Sequence, residues 1–172
     1  MKMIFDIETD DLNATKVWCL VAKELNGKIH KFGHNQIQDG LDLLSTADTL
    51  IGHNIIGFDL PVLEKLYNFK FTGQVIDTLV MSRLYNPVRE NGHSLKTWGF
   101  RVNMLKKEQP EFETYSPEML EYCVGDVVLN EKVYEHLLNE GTGFSDKSLE
   151  LEQEVAKIMN EQEKTGFYFD SS

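Results

Sequence analysis

Near the N-terminus three short apolar segments, residues 3–8, 17–23 and 28–32, have the length and alternation of strands. They predict a meander, with Asn26-Gly27 as the tight turn between the second and third. Ile37, Leu41 and Leu44 are then spaced for a short helix, and 49–52 is a short apolar strand. Residues 60–67 read as a helix with Asp59 near its cap and Pro61 in its first turn. Residues 74–76 form a strand leading into a helix over 79–85, which Asn86-Pro87 ends; 94–98 adds a helical turn. Ser116-Pro117-Glu118 starts a helix that runs to about 138, with Gly125 as a break point. Gly141-Thr142-Gly143 is a joint, and 146–164 is a separate amphipathic helix on Leu149, Val155, Ile158 and Met159. A strand meander followed by alternating helices and strands predicts an α/β protein, a mixed sheet with helices on its faces.

Composition narrows the function. The chain has 172 residues, enough to bury a core without disulfides or a structural metal. No apolar run approaches the roughly 18 residues needed to cross a membrane. The opening, Met1-Lys2-Met3-Ile4-Phe5-Asp6, meets a carboxylate too early for a signal peptide, so a cytoplasmic location and no membrane partner are expected. The formal charge of −11 argues against indiscriminate polyphosphate binding, unless divalent cations screen a carboxylate-rich site. Cys19 and Cys123 lack metal-binding spacing and read as buried reduced thiols.

The candidate chemistry is in the carboxylates. On a strand, Asp6 and Glu8 share one face, about 6.6 Å apart, with Phe5 and Ile7 on the other. Gly52-His53-Asn54-Ile55-Ile56-Gly57-Phe58-Asp59 links a buried strand to a helix, the kind of loop where α/β proteins place chemistry. Taken singly, Asp59 reads as a helix cap and Asn54 as a turn residue. Tyr122 and Asp126, four residues apart, share a helix face. Taken singly, they read as a core aromatic and a solvated acid. Four carboxylates that a sheet can gather need a cation between them, and hard oxygen donors suit Mg²⁺ or Mn²⁺ rather than zinc.

Phe-Asp-Ile-Glu-Thr (5–9), Asn-x4-Asp (54–59) and Tyr-x3-Asp (122–126) resemble, in this order, the three motifs of the DEDD 3′–5′ exonucleases, tyrosine branch. Ile76-Asp77-Thr78-Leu79, Asp126-Val127-Val128-Leu129-Asn130 and His93-Ser94-Leu95-Lys96-Thr97-Trp98-Gly99 look like the proofreading domain of phage-type family A DNA polymerases. The Asn-x4-Asp spacing also occurs in family B. The resemblance implies a ribonuclease H-like three-layer sandwich with a mixed five-stranded sheet. It divides the chain into an exonuclease domain, 1–140, and a segment, 141–172, resembling the start of a polymerase region. The polymerase motifs themselves are absent.

What the resemblance implies is a two-metal hydrolysis of the 3′-terminal phosphodiester of DNA, releasing nucleoside monophosphates during replication. Asp6, Glu8, Asp59 and Asp126 would hold two divalent cations, Mg²⁺ or Mn²⁺, and Tyr122 would orient the attacking water. Ile7, Thr9, Leu12 and Asn54 would contact the frayed 3′ end, Leu12 as an apolar wedge. Read from the residues alone, Leu12 is equally a small core residue after a turn. Arg83, Arg89, Lys96 and Arg101 are candidate phosphate contacts or plain surface charges, and Asp77 reads as a cap or supporting acceptor. His53 and His93 are discounted as general bases, because the other branch of the superfamily carries its histidine a little before the last Asp, and that stretch here has none. Trp18 and Trp98 read as packing residues. An exoribonuclease and a non-catalytic docking domain of a polymerase are the alternatives.

Overall fold

The computed structural model describes residues 1–107 and 114–169. Five strands form one sheet in the order β3-β2-β1-β4-β5: β1 (Lys2–Thr9), β2 (Val17–Glu24), β3 (Ile29–Gly33), β4 (Thr49–Gly52) and β5 (Gln74–Asp77). The three N-terminal strands pair antiparallel, while β4 and β5 run parallel to β1. The hairpin lies where the sequence places it: Glu24 donates to the Lys28 carbonyl at 3.0 Å, and Asn26 takes a φ of 59°. Asparagine tolerates that left-handed conformation better than other side chains.

Strand alternation divides the core. Met3, Phe5 and Ile7 face α1 (Ile37–Leu44) and α2 (Asp59–Tyr67), packing with Leu41, Leu44 and Leu63. Ile4 faces α3 (Thr78–Tyr85), α4 (Leu95–Arg101) and α5 (Pro117–Glu140), packing with Met81, Trp98, Cys123 and Val127. β1 is therefore covered on both sides. Its even face starts apolar at Ile4 and becomes acidic at Asp6 and Glu8 as it passes under α5. The register slips by one residue between Glu8 and Thr9. A bulge there turns the chain just beyond the second carboxylate.

Two expectations about helices are corrected. Gly125 does not break α5, which runs through it from Pro117 to Glu140. An interior glycine costs a helix about 1 kcal/mol, and the buried Cys123, Val127 and Leu129 around it offset that cost. Asp59 does not cap α2 either. It is the first helical residue, and its carboxylate turns toward β1.

α6 (Asp146–Thr165) packs back on the domain. Its buried Gln153 accepts from the Asp77 N–H at 3.0 Å and donates to the Asp77 carbonyl at 3.1 Å. One side chain thus closes the edge of β5 as a neighbouring strand would. Gln153→Ala orphans both backbone groups, and a loss of about 2–3 kcal/mol is expected in urea unfolding. Among the described residues, no helix is long and apolar enough to cross a membrane.

Candidate active site

Three separated segments deliver one acidic cluster. β1 supplies Asp6 and Glu8. The loop after β4 turns through Asn54, at a φ of 67°, and starts α2 on Asp59. α5 crosses above β1 and brings Tyr122 and Asp126 to it. The Asp59 carboxylate accepts the Ile7 N–H at 3.2 Å, which fixes the second segment to the first. The Cys123 thiol lies 3.4 Å from the Asp6 carbonyl and 3.5 Å from its carboxylate, which fixes the third.

Asp77 holds the middle segment. Its carboxylate accepts from the N–H groups of Asn54 at 2.8 Å, Ile56 at 3.1 Å and Leu79 at 2.9 Å. One buried side chain therefore caps α3 and shapes the loop leading to Asp59. Gly57 leaves room in that turn for the Asn54 side chain, whose amide oxygen would lie 2.6 Å from a Cβ there. Asn54 is thus the turn residue its sequence context suggests.

The carboxylates are crowded and dry. Asp59 and Asp126 are only 3% and 5% exposed. Burial pushes Glu8 up to about 9, with Asp126 and Cys19 adding to it. Burial raises Asp59 to about 7 against the opposing Ile7 N–H. Asp6 rises well above the carboxylate range, through burial and then Asp59, Glu8 and Asp126. Asp126 rises less, because burial is opposed by Lys106. Donor atoms of Asp6, Glu8 and Cys123 lie within 4.8 Å of one another. Buried oxygens that repel one another and cling to protons are the donor set that a divalent cation relieves. The residues present fit such an ion.

Comparison with known proteins points the same way. No family model matches the chain. The DNA-directed DNA polymerase of Enterobacteria phage T3 is 26% identical over an alignment 235 positions long, gaps included, covering 98% of this chain and 33% of the polymerase. That of Escherichia phage T7 is 26% identical over 237, with the same coverage. The chain spans about a third of the length of these relatives. Brucella melitensis NrnC superposes with a TM-score of 0.72 at 19% identity, over 99% of this chain and 91% of that one. Escherichia coli RNase D, an exoribonuclease, gives 0.69 at 12%, over 92% and 44%. The chain is similar to part of these phage DNA polymerases. Its fold is a ribonuclease H-like α/β sandwich.

Within that fold the substrate candidates separate. Leu12 is 86% exposed at a turn tip, which removes the core reading. Thr9 is buried and donates its hydroxyl to the Asp11 carbonyl at 2.9 Å, shaping that turn. The Ile7 side chain is packed in the first core, and its N–H is engaged by Asp59. His53 sits 2.9 Å from the Thr78 hydroxyl, and burial depresses its pKa to about 4, so it is a neutral packing residue. Trp98 is fully buried, as expected; Trp18 is half-buried on β2.

Sequence reading missed Lys106. Its ammonium lies 2.6 Å from Asp126 and 4.8 Å from the centre of the Tyr122 ring. Burial disfavours that charge, but Asp126 overrides it and raises the Lys106 pKa. Nothing in the pattern marks it: Lys106-Lys107 is a plain basic pair on a loop. Tyr122→Phe is expected to slow hydrolysis about 10- to 100-fold. Lys106→Met should do the same, and the double variant should lose less than the product, since one pair acts as a unit. Single-turnover rates on a labelled oligonucleotide measure all three, and a multiplicative double would separate the two roles.

Proposed function

We propose that this chain is a metal-dependent 3′–5′ exonuclease that removes nucleoside monophosphates from the 3′ end of DNA. The convergence of Asp6, Glu8, Asp59 and Asp126, with Tyr122 beside them, carries this reading. Asp6, Glu8, Asp59 and Asp126 would hold two divalent cations, Mg²⁺ or Mn²⁺. Cations held there lower the pKa of water and offset charge on the attacked phosphate and its leaving oxygen. NrnC is recorded with bound Mg²⁺, which supports the choice of ion.

The chain's own groups do the rest. The Tyr122 hydroxyl orients the attacking water. Burial raises its pKa above the usual phenol range, so orientation is favoured over proton abstraction. Lys106 holds Asp126 and steadies Tyr122. Exposed Leu12 wedges the last base from its neighbour, while Thr9 and Ile7 meet the terminal nucleotide through backbone and Asn54 edges the strand. Residues 1–140 would form the nuclease and 141–172 would begin a polymerase region. Proofreading in replication is the matching role.

RNA is the second reading, favoured by RNase D, described as an exoribonuclease, and by NrnC bound to pGG. The test is digestion of matched 5′-labelled DNA and RNA single strands with Mg²⁺, Mn²⁺ or chelator. A 3′-shortening DNA ladder that chelator abolishes is expected. Faster RNA shortening would transfer the assignment to RNA. Both strands intact, with the protein folded and metal bound, would leave a docking domain.

A further inference from the structure

Of the four clustered acids, two are already engaged. Asp59 accepts the Ile7 N–H at 3.2 Å, and Asp126 meets the Lys106 ammonium at 2.6 Å. Glu8 is different. Among the described residues its carboxylate makes no hydrogen bond or ion pair, although the residue is only 9% exposed. The Asp6 carboxylate is met by the Cys123 thiol, a weak donor, at 3.5 Å. A buried carboxylate left without a partner is costly, and it points to a ligand that the protein itself does not supply.

Cys123 decides the kind of ligand. Its sulfur and one oxygen each from Asp6 and Glu8 all lie within 4.8 Å of one another. Around a tetrahedral ion with bonds of about 2.0–2.3 Å, donors sit about 3.4–3.6 Å apart. Side-chain shifts of about an ångström close the three onto a single ion. Asp6 is partly open to solvent while Glu8 and Cys123 are buried, so an ion enters past Asp6 and comes to rest against α5. Hard cations avoid sulfur, whereas a borderline-soft ion seeks it. Two carboxylates and a thiolate, with a fourth position open, are a zinc donor set rather than a magnesium one. Neither cysteine has metal-binding spacing along the chain; the crossing of α5 over β1 brings the sulfur to the acids instead. Cys19 pairs with Glu8 across β1 and β2 and is buried in the same core as Cys123, but it is not one of the three donors.

We propose that Asp6, Glu8 and Cys123 form a site for one thiophilic divalent cation of the Zn²⁺ class, which inhibits hydrolysis by taking Asp6 and Glu8 from the hard cations. The ion displaces the proton of the Cys123 thiol to solvent and forms a metal–sulfur bond, with no change of oxidation state. The inhibition rests on the exonuclease reading; the site itself does not.

The test uses Co²⁺, whose bond to a thiolate gives a charge-transfer band in the near ultraviolet that carboxylates do not give. The reduced, metal-free full chain is titrated with Co²⁺. One equivalent should raise the band, and Zn²⁺ should bleach it. The chain has two cysteines, so the band has two possible sources. Cys19→Ser should keep it and Cys123→Ser should abolish it. Losing that ligand should weaken Zn²⁺ binding, read by competition with a chromophoric chelator, at least about 100-fold, the upper end of what outer-shell partners cost. No band in the wild type, a band that survives Cys123→Ser, or one lost in Cys19→Ser would overturn the three-donor site. If Cys123→Ser melts several degrees low, Glu8→Gln decides in its place. It keeps the side chain's shape and should weaken Co²⁺ binding at least about tenfold; unchanged affinity would overturn the proposal. With Mg²⁺ and a labelled DNA strand, Zn²⁺ should halt the wild type at concentrations that leave Cys123→Ser at its own zinc-free rate. Equal zinc sensitivity would overturn the inhibition. A wild type that cleaves no strand would defeat the exonuclease reading, while the cobalt band still judges the site.

Discussion

Asp6→Ala is expected to lower 3′-end hydrolysis at least about 1,000-fold while leaving the fold intact or firmer. A thousandfold is about 4 kcal/mol of transition-state stabilisation, within what metal-assisted charge neutralisation supplies. Asp6 is the residue whose carboxyl feels Asp59, Glu8 and Asp126 together. Under the proposed reading it would hold cations together with the other three, and its removal would take away a donor that none of them replaces. The second half of the expectation separates a functional acid from a structural one. In the metal-free protein burial and three acidic neighbours force this carboxyl to keep a proton, which costs folding free energy above its unfolded pKa. Replacing it with alanine removes that cost, so the melting temperature in chelator should stay or rise. Single-turnover digestion and thermal unfolding of the same sample measure both. Retention of more than a tenth of wild-type rate would remove Asp6 from the chemistry; inactivity with a collapsed melting temperature would make it structural.

The fold was largely legible because its signals are local. The short apolar runs at 17–23 and 49–52, the Asn26 turn and the Ser116-Pro117 start each act within a few residues, and each element is found where its pattern lies. Strand order was not legible from pattern. It depends on β4 and β5 adding parallel to β1 on the side away from β2, and the family resemblance implied only a mixed five-stranded sheet. Docking of α6 was equally closed to pattern. Its apolar stripe permits several partners, and the choice is made by Gln153, whose amide meets a backbone 76 residues away in sequence.

The site divides along the same line. Asp6 and Glu8 follow from alternation, and Tyr122 with Asp126 from helical spacing. Asp59 needed its context, since a lone acid before Leu-Pro reads as a cap, and only the Ile7 N–H across the sheet shows otherwise. Lys106 was invisible because its meaning is entirely tertiary. A loop lysine acquires a role only when α5 brings Asp126 to 2.6 Å from it. The bulge after Glu8 has the same character, arising from the pairing of two strands rather than from either alone.

Stability without metal is expected to fall as pH rises from 7 to 9, and bound Mg²⁺ or Mn²⁺ should reverse that slope. Folding lifts Glu8 from 4.5 to about 9 and Asp59 from 3.8 to about 7. The folded protein therefore holds protons that the unfolded chain has already released. Where the native state binds more protons, stability declines with pH. The contribution is complete below the unfolded values and is lost as pH passes first through about 7 and then about 9. His53 works oppositely at lower pH, since folding drops it from 6.5 to about 4. Its effect is confined below pH 6.5, which leaves 7 to 9 as the window for the carboxylates. A divalent cation competes with those protons, so its stabilisation should grow across the window and its binding at pH 7 should release at least about one proton. Melting temperatures at pH 7, 8 and 9 in chelator and in metal, with titration calorimetry in buffers of different ionisation enthalpy, read both signs. Metal stabilisation that is flat with pH, or a chelated protein that gains stability toward pH 9, would mean that the buried carboxylates are not the groups the cation displaces protons from.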